Sequence, residues 1–257
     1  MAADGESTAS SRRTLPECRS IPETSTALRQ QLEYYRARAN EYNEWWLRQG
    51  RYDRGETLNA PWFADVAAVE TALLSFRPAG RVLELACGTG IWTEQLLPFA
   101  SQLTAIDGSP EMLAINANRL RSPAVRYIEA DLFEWRPAEQ YDAVFFAFWL
   151  SHVPPERFVE FWQLVSSCLA PNGRVFFVDS RHEQTSTAVD HQLPEPEATI
   201  LSRRLNDGRE FQIYKVFYQP AELTQRLSEL GWDFTIHTTE HYFLHGSGQL
   251  RSTHLSQ

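Results

Sequence analysis

From residue 82 onward the chain alternates between short strand-like runs and amphipathic stretches. Runs at 82–86, 103–106, 125–129, 141–146 and 174–179 have the length and composition of buried strands. Between them lie segments of helical spacing. One covers 91–98, a second is capped by Ser109 with Pro110 at its first position, and a third shows Phe158, Phe161, Trp162, Val165 and Leu169 on one face. Five strands alternating with helices predict a parallel sheet wound by right-handed crossovers. Further on, Asp207-Gly208 between β-rich runs at 201–205 and 211–218 signals a hairpin. Pro220 opens another helix, with Leu223, Leu227 and Leu230, that Gly231 closes. Runs at 232–237 and 241–244 complete the sheet.

Upstream the pattern differs. Residues 1–24 are rich in Ser, Thr, Glu and Ala and read as a disordered tail. Leu28, Leu32, Tyr35, Ala39, Tyr42 and Trp46 then recur at steps of four and three, which predicts one amphipathic helix over 27–48. Its aromatic stripe serves either as packing on the domain edge or as a cap over a site. Residues 49–60 read as a hinge, and Pro61 starts a helix that runs to about residue 76.

The first strand ends in Glu84-Leu85-Ala86-Cys87-Gly88-Thr89-Gly90. Strand, glycine turn and helix make a nucleotide cradle, in which the backbone approaches a ligand closely and the helix N-terminus offers free N–H groups. Thr93 stands where a dinucleotide fingerprint needs its third small residue. Glu84, a carboxylate in an apolar strand, suits a ligand with an ammonium group. Asp107 follows the second strand at the spacing of a ribose-binding acid, its alternative being a plain turn residue. Ligands of such sheets bind at the carboxyl ends of the strands, where Glu84, Asp107, Asp131, residues 148–152 and residues 179–181 all fall.

Residues 84–90 resemble motif I of the class I S-adenosylmethionine (SAM)-dependent methyltransferases, and a looser likeness extends over residues 80 to 180. The resemblance implies a Rossmann-like, doubly wound, mainly parallel seven-stranded sheet with helices on both faces. It also implies an N-terminal cap helix, and roughly forty residues interposed after strand five, about 182–219, then read as an insertion bearing the hairpin. It implies SAM as cofactor, held by Tyr34, Glu84, Gly88, Thr89, Gly90, Asp107, Gly108, Ser109, Met112, Asp131, Leu132 and Phe148. Asp131 would meet the adenine amino group, although it serves equally as a helix cap. Tyr35, Trp46, Trp149 and Arg181 are the expected acceptor contacts. The family places a His after strand four, here His152, as a general base in some members; a structural role is the alternative. Asp179 would orient His152 or a substrate amine.

Composition narrows the partners. A net charge of −9 and a pI near 5.3 argue against a nucleic-acid partner. No apolar run has the length of a membrane span. Cys18, Cys87 and Cys168 show no metal spacing, and no metal is expected; they read as reduced thiols, which suggests the cytoplasm. The Asn-Pro-Pro-Tyr signature of amide- and base-modifying methyltransferases and the cysteine pattern of arsenite methylation are both missing. The expectation is methyl transfer to an O or N nucleophile of a small-molecule metabolite by a monomer or homodimer. The alternatives are an NAD(P)-dependent oxidoreductase, which Thr93 and Glu84 oppose, and a non-catalytic SAM-binding protein.

Overall fold

A computed structural model of the chain describes residues 23–252. The tail expected over 1–24 lies outside them except for its last two residues, which begin the first helix. Cys18 also lies outside; Cys87 and Cys168 are free and buried.

Seven strands form one sheet: β1 Gly80–Leu85, β2 Ala100–Asp107, β3 Val125–Glu129, β4 Tyr141–Ala147, β5 Leu169–Ser180, β8 Trp232–Thr238 and β9 Phe243–Leu250. Their spatial order is β3-β2-β1-β4-β5-β9-β8. The first five run parallel, while β9 is antiparallel to both its neighbours. The order reverses between β1 and β4, and that switch point faces the site.

Period-two alternation feeds two apolar layers. Leu83, Leu85, Val144, Phe146 and Phe177 point to one face, where helix α6 (Phe158–Cys168) supplies Phe161, Trp162 and Val165 and α7 (Pro220–Glu229) supplies Leu223 and Leu227. Val82, Ala105, Phe145, Phe176 and Val178 point to the other. There α3 (Glu56–Phe76), α4 (Ile91–Leu96) and α5 (Pro110–Leu120) bring Trp62, Val69, Leu73, Trp92 and Leu113. At roughly 1.5–3 kcal/mol for each large side chain fully buried, these layers supply the main driving force.

The N-terminal region departs from the periodicity. Instead of one helix over 27–48 there are two, α1 Glu23–Arg38 and α2 Tyr42–Trp46. The Glu41 N–H turns back onto the Arg38 carbonyl, and the bend drives Trp45 and Trp46 inward against Trp62 and Phe148. Helix α3 starts at Glu56, not at Pro61, because the Leu58 and Asn59 N–H groups close a turn onto Gly55 and the Asn59 side chain binds Asp53 and Arg54. The expected hinge at 49–60 is therefore largely helical. It is also tied down: Arg48 and Arg54 donate to the carbonyls of Thr185, Ser186 and Thr187, and Arg51 pairs with Asp190.

The insertion forms its own two-stranded sheet, β6 Ile200–Arg204 with β7 Glu210–Tyr214. It lies on α1, where Tyr34 packs with Leu201, Leu205 and Ile213. Among the described residues no helix is long and apolar enough to cross a membrane.

Candidate active site

The cradle after β1 is built on backbone in the left-handed region. Ala86, Gly88 and Gly90 have φ of 52°, 52° and 88°. A Cβ on Gly90 would stand 2.5 Å from Asn116 Oδ1, so only glycine fits there. The Asp107 carboxylate binds both arms of the turn: Gly88 N–H donates to Oδ2 and Ser109 N–H to Oδ1, each at 2.9 Å. Burial pushes the Asp107 pKa up to about 6, although these backbone N–H groups oppose the rise.

A cavity of about 370 Å³ opens at the carboxyl ends of β1, β2, β3 and β4, within the size range of small-molecule sites. Of the expected cofactor residues, Gly88, Asp107, Gly108, Met112, Asp131, Leu132 and Phe148 line it. Asp131 lines the cavity, and its Oδ1 accepts from Phe133 N–H to close a turn, not to cap a helix. Glu84 lies just behind, in a narrow cleft shared with Gly88 and Thr89. It is 2% exposed and its Oε2 has no hydrogen-bond partner. Burial pushes its pKa up to about 8, with a Thr93 hydrogen bond opposing and the Asp107 charge adding. An orphaned buried carboxylate oxygen needs a cationic donor, so these residues fit the amino-acid end of SAM.

Several expected ligands are otherwise engaged. The Thr89 hydroxyl donates to Asn43 Oδ1 at 2.6 Å. Ser109 caps α5 by accepting from Met112 N–H. Tyr34 packs against the hairpin and does not line the larger cavity. Trp46 belongs to the core around Trp62, Trp92 and Phe243 and reaches only the Glu84 cleft. Arg181 turns away, donating to the carbonyls of Thr239 and Glu240. Trp149, expected at the acceptor, lines the larger cavity beside Phe133, with its buried indole N–H unpartnered.

A second, smaller chamber of about 60 Å³ lies between α1, α2 and the insertion. Four residues, Tyr35, Tyr42, Phe148 and His152, line both spaces. Phe148, just after β4, has φ 55°, a conformation costly for a bulky side chain, and its N–H is held by the Val178 carbonyl. His152 is 5% exposed. Its Nδ1 lies 2.5 Å from the Tyr214 carbonyl, which only accepts, so Nδ1 carries the proton. Nε2 therefore accepts from the Tyr35 hydroxyl at 2.7 Å. Burial, then the Lys215 charge, hold the His152 pKa well below its ordinary value, so the ring is neutral. Asp179 does not orient it. That carboxylate accepts from Ser151 and Ser180 N–H and pairs with Lys215 at 3.4 Å.

Residues that sequence reasoning missed complete the arrangement. Gln31, buried in α1, donates to the His152 carbonyl and accepts from Tyr214 N–H, joining the cap helix, the post-β4 loop and the hairpin. Arg38, Arg203 and Lys215 line the smaller chamber. Lys215 is the only lysine among 24 basic residues, a signal the sequence did carry.

Residues 82–173 match a family described as "Methyltransferase domain". The ubiquinone biosynthesis O-methyltransferase of Xanthomonas campestris is 31% identical over 185 residues, which are 70% of this chain and 72% of that one. DhpI, solved as a complex with SAM and HEP, is 42% identical with a TM-score of 0.71, covering 87% of this chain and 98% of its own. The chain belongs to the class I SAM-dependent methyltransferases. A trans-aconitate 2-methyltransferase of Rhizobium meliloti is a further relative, 39% identical over 46% of each chain. This methyltransferase uses SAM as its methyl donor, and the fold described above is that of its family.

Proposed function

We propose that the enzyme methylates an oxygen of a small-molecule acceptor seated in the smaller chamber, with SAM in the larger one. The observation that carries this reading is the wall that both spaces share, formed by Tyr35, Tyr42, Phe148 and His152. Transfer needs the nucleophile in line behind the methyl group, and two chambers meeting at a thin wall hold two reactants in that relation. The aromatic rings at the wall suit a sulfonium. The likeness to the ubiquinone biosynthesis O-methyltransferases of Xanthomonas supports oxygen over nitrogen as the acceptor atom.

SAM, when bound, supplies an electrophilic methyl group. The chain's own residues exclude water, through the aromatic wall, and hold the acceptor. His152 keeps a lone pair on Nε2 but already accepts the Tyr35 proton there. It therefore acts on the acceptor through Tyr35, or fixes that phenol in place. Helices α1 and α2 close the chamber, so the N-terminal region serves as the cap.

A turnover assay with radiolabelled SAM over a panel of hydroxylated, acidic and amine metabolites tests the reading. Methylated oxygen product, with calorimetry detecting SAM and not NAD, is the expected result. Cofactor binding without transfer to any acceptor would favour a non-catalytic SAM-binding role.

A further inference from the structure

The smaller chamber is out of electrostatic balance. Arg38 of α1, Arg203 of β6 and Lys215 line it, and none of its lining residues is a carboxylate. Lys215 alone of the three has an acidic partner, Asp179. Arg38 lies against the rings of Tyr34, Tyr42 and Tyr52 and donates to the Tyr52 hydroxyl at 3.2 Å. Arg203 donates to Thr187 Oγ1 at 2.7 Å. Among the described residues neither guanidinium has a carboxylate at ion-pair distance. Three cations with one counter-charge leave two positive charges uncompensated.

The surroundings make the excess costly. Burial lowers the Lys215 pKa; Asp179 opposes this, while the Arg203 and Arg38 charges add to the fall. Burial likewise lowers that of Arg203, with Arg38 contributing in the same sense. The phenols supply no negative charge, since burial raises Tyr35 well above its ordinary value and Tyr42 to about 12. Lys215 is buried and the two guanidinium side chains are half-buried, so an anion among them would offset the cost of holding three cations together. The chamber is small, about 60 Å³, which favours one compact group carrying both missing charges.

We infer that the methyl acceptor is an acid whose anionic headgroup sits among Arg38, Arg203 and Lys215, and that one of its charged oxygens is the nucleophile. This rests on the assignment of the smaller chamber to the acceptor. An oxygen lone pair of the acid forms the new bond to the methyl carbon. The carbon–sulfur bond breaks with its pair remaining on sulfur, and the sulfonium becomes a neutral thioether. The acid loses one negative charge and no proton moves. A base is therefore unnecessary, and Tyr35 and His152 are positioning residues.

The test uses the full chain with S-adenosylhomocysteine bound, titrated with methylphosphonate, acetate and ethanol at mildly alkaline pH. Dianionic methylphosphonate should bind more tightly than acetate, and ethanol undetectably. Arg38→Gln and Arg203→Gln should each weaken methylphosphonate about tenfold or more, the scale of a lost charge-assisted hydrogen bond. Arg203→Lys should restore part of the loss, and S-adenosylhomocysteine affinity should hold in all three. Thermal melts of the three variants show that each is folded. Labelled SAM should then methylate phosphonic or carboxylic acids. Acids that bind no better than ethanol, or folded arginine variants that bind methylphosphonate as the parent does, overturn the inference. Transfer to alcohols or phenols with acids neither bound nor methylated overturns it while leaving the transferase reading intact. No transfer to any acceptor, with SAM still bound, sinks that reading and the acid assignment with it.

Discussion

The Tyr35 hydroxyl stands 2.7 Å from His152 Nε2, at the wall common to both chambers. The bond has a fixed direction because Nδ1 is committed to the Tyr214 carbonyl. His152 thus holds a phenol from the cap helix against the loop that follows β4. His152→Gln and Tyr35→Phe should both lower kcat, with SAM affinity within about twofold of the parent. The depressed His152 pKa removes the rate limb at pH 6–7 that an unperturbed imidazole base would give. A rising limb there that vanishes in His152→Gln would restore His152 as a base. Stability carries the same sign. The unfolded ring binds a proton below pH ~6.5 that the folded ring refuses. Stability is then present above that value and lost as pH falls below it, and His152→Gln should show less of this loss in thermal melts.

Glu84 has a folded pKa of about 8, far above a free carboxyl, and an unpartnered oxygen. In the free enzyme at pH 7 it is mainly protonated. An ammonium beside it favours the carboxylate, so SAM binding should release about one proton and should tighten as pH rises toward 8. Calorimetry in buffers of different ionisation enthalpy reads the release directly. Equal heats across buffers, or Glu84→Gln behaving as the parent does, would remove Glu84 from the cofactor site.

Asp107 binds both Gly88 N–H and Ser109 N–H while facing the cavity. Asp107→Ala leaves two donors unpaired and removes the carboxylate that faces the cavity. SAM affinity should fall by roughly 1–3 kcal/mol, the cost of a lost buried partner. Unchanged affinity in equilibrium dialysis would show that Asp107 only shapes the turn.

Much of this site was readable because its parts are neighbours along the chain. Glu84, the glycine turn and Asp107 lie on consecutive strand ends, and the Asp-Gly turn marked the hairpin. The smaller chamber was not readable, because Arg38, Arg203 and Lys215 come from separate elements that only tertiary packing unites. Period alone also misdirected Trp46. Its stripe is real, but the bend after Arg38 turns that residue into the core. Arg181 sits at a strand end as expected, yet the carbonyls of the β8–β9 turn take up its donors.

Away from the site, Asp65 of α3 accepts from the Thr239 hydroxyl and from His241 and Tyr242 N–H, clasping the β8–β9 turn. Asp65→Ala leaves these donors without their acceptor, at about 1–3 kcal/mol for each one left unsatisfied. A loss of about 3 kcal/mol or more in denaturant unfolding is expected, against little change in SAM affinity. A loss below 1 kcal/mol would show that water replaces the clasp.

Gln31 spans the His152 carbonyl and Tyr214 N–H, so Gln31→Ala should loosen α1 from the hairpin. Hydrogen exchange should rise in α1 and β7 together, and the acceptor KM should rise more than kcat falls. Exchange confined to α1 would show that the hairpin holds its place without the cap.

Lys215, buried beside Asp179, Ser151 and Ser180, is the single lysine side chain in 257 residues. Reagents that acylate ε-amines, from fluorescent esters to bifunctional crosslinkers, therefore have one lysine target, and it lies inside the chamber. Its labelling rate becomes an optical gauge of how often the cap opens, read on the unmutated protein.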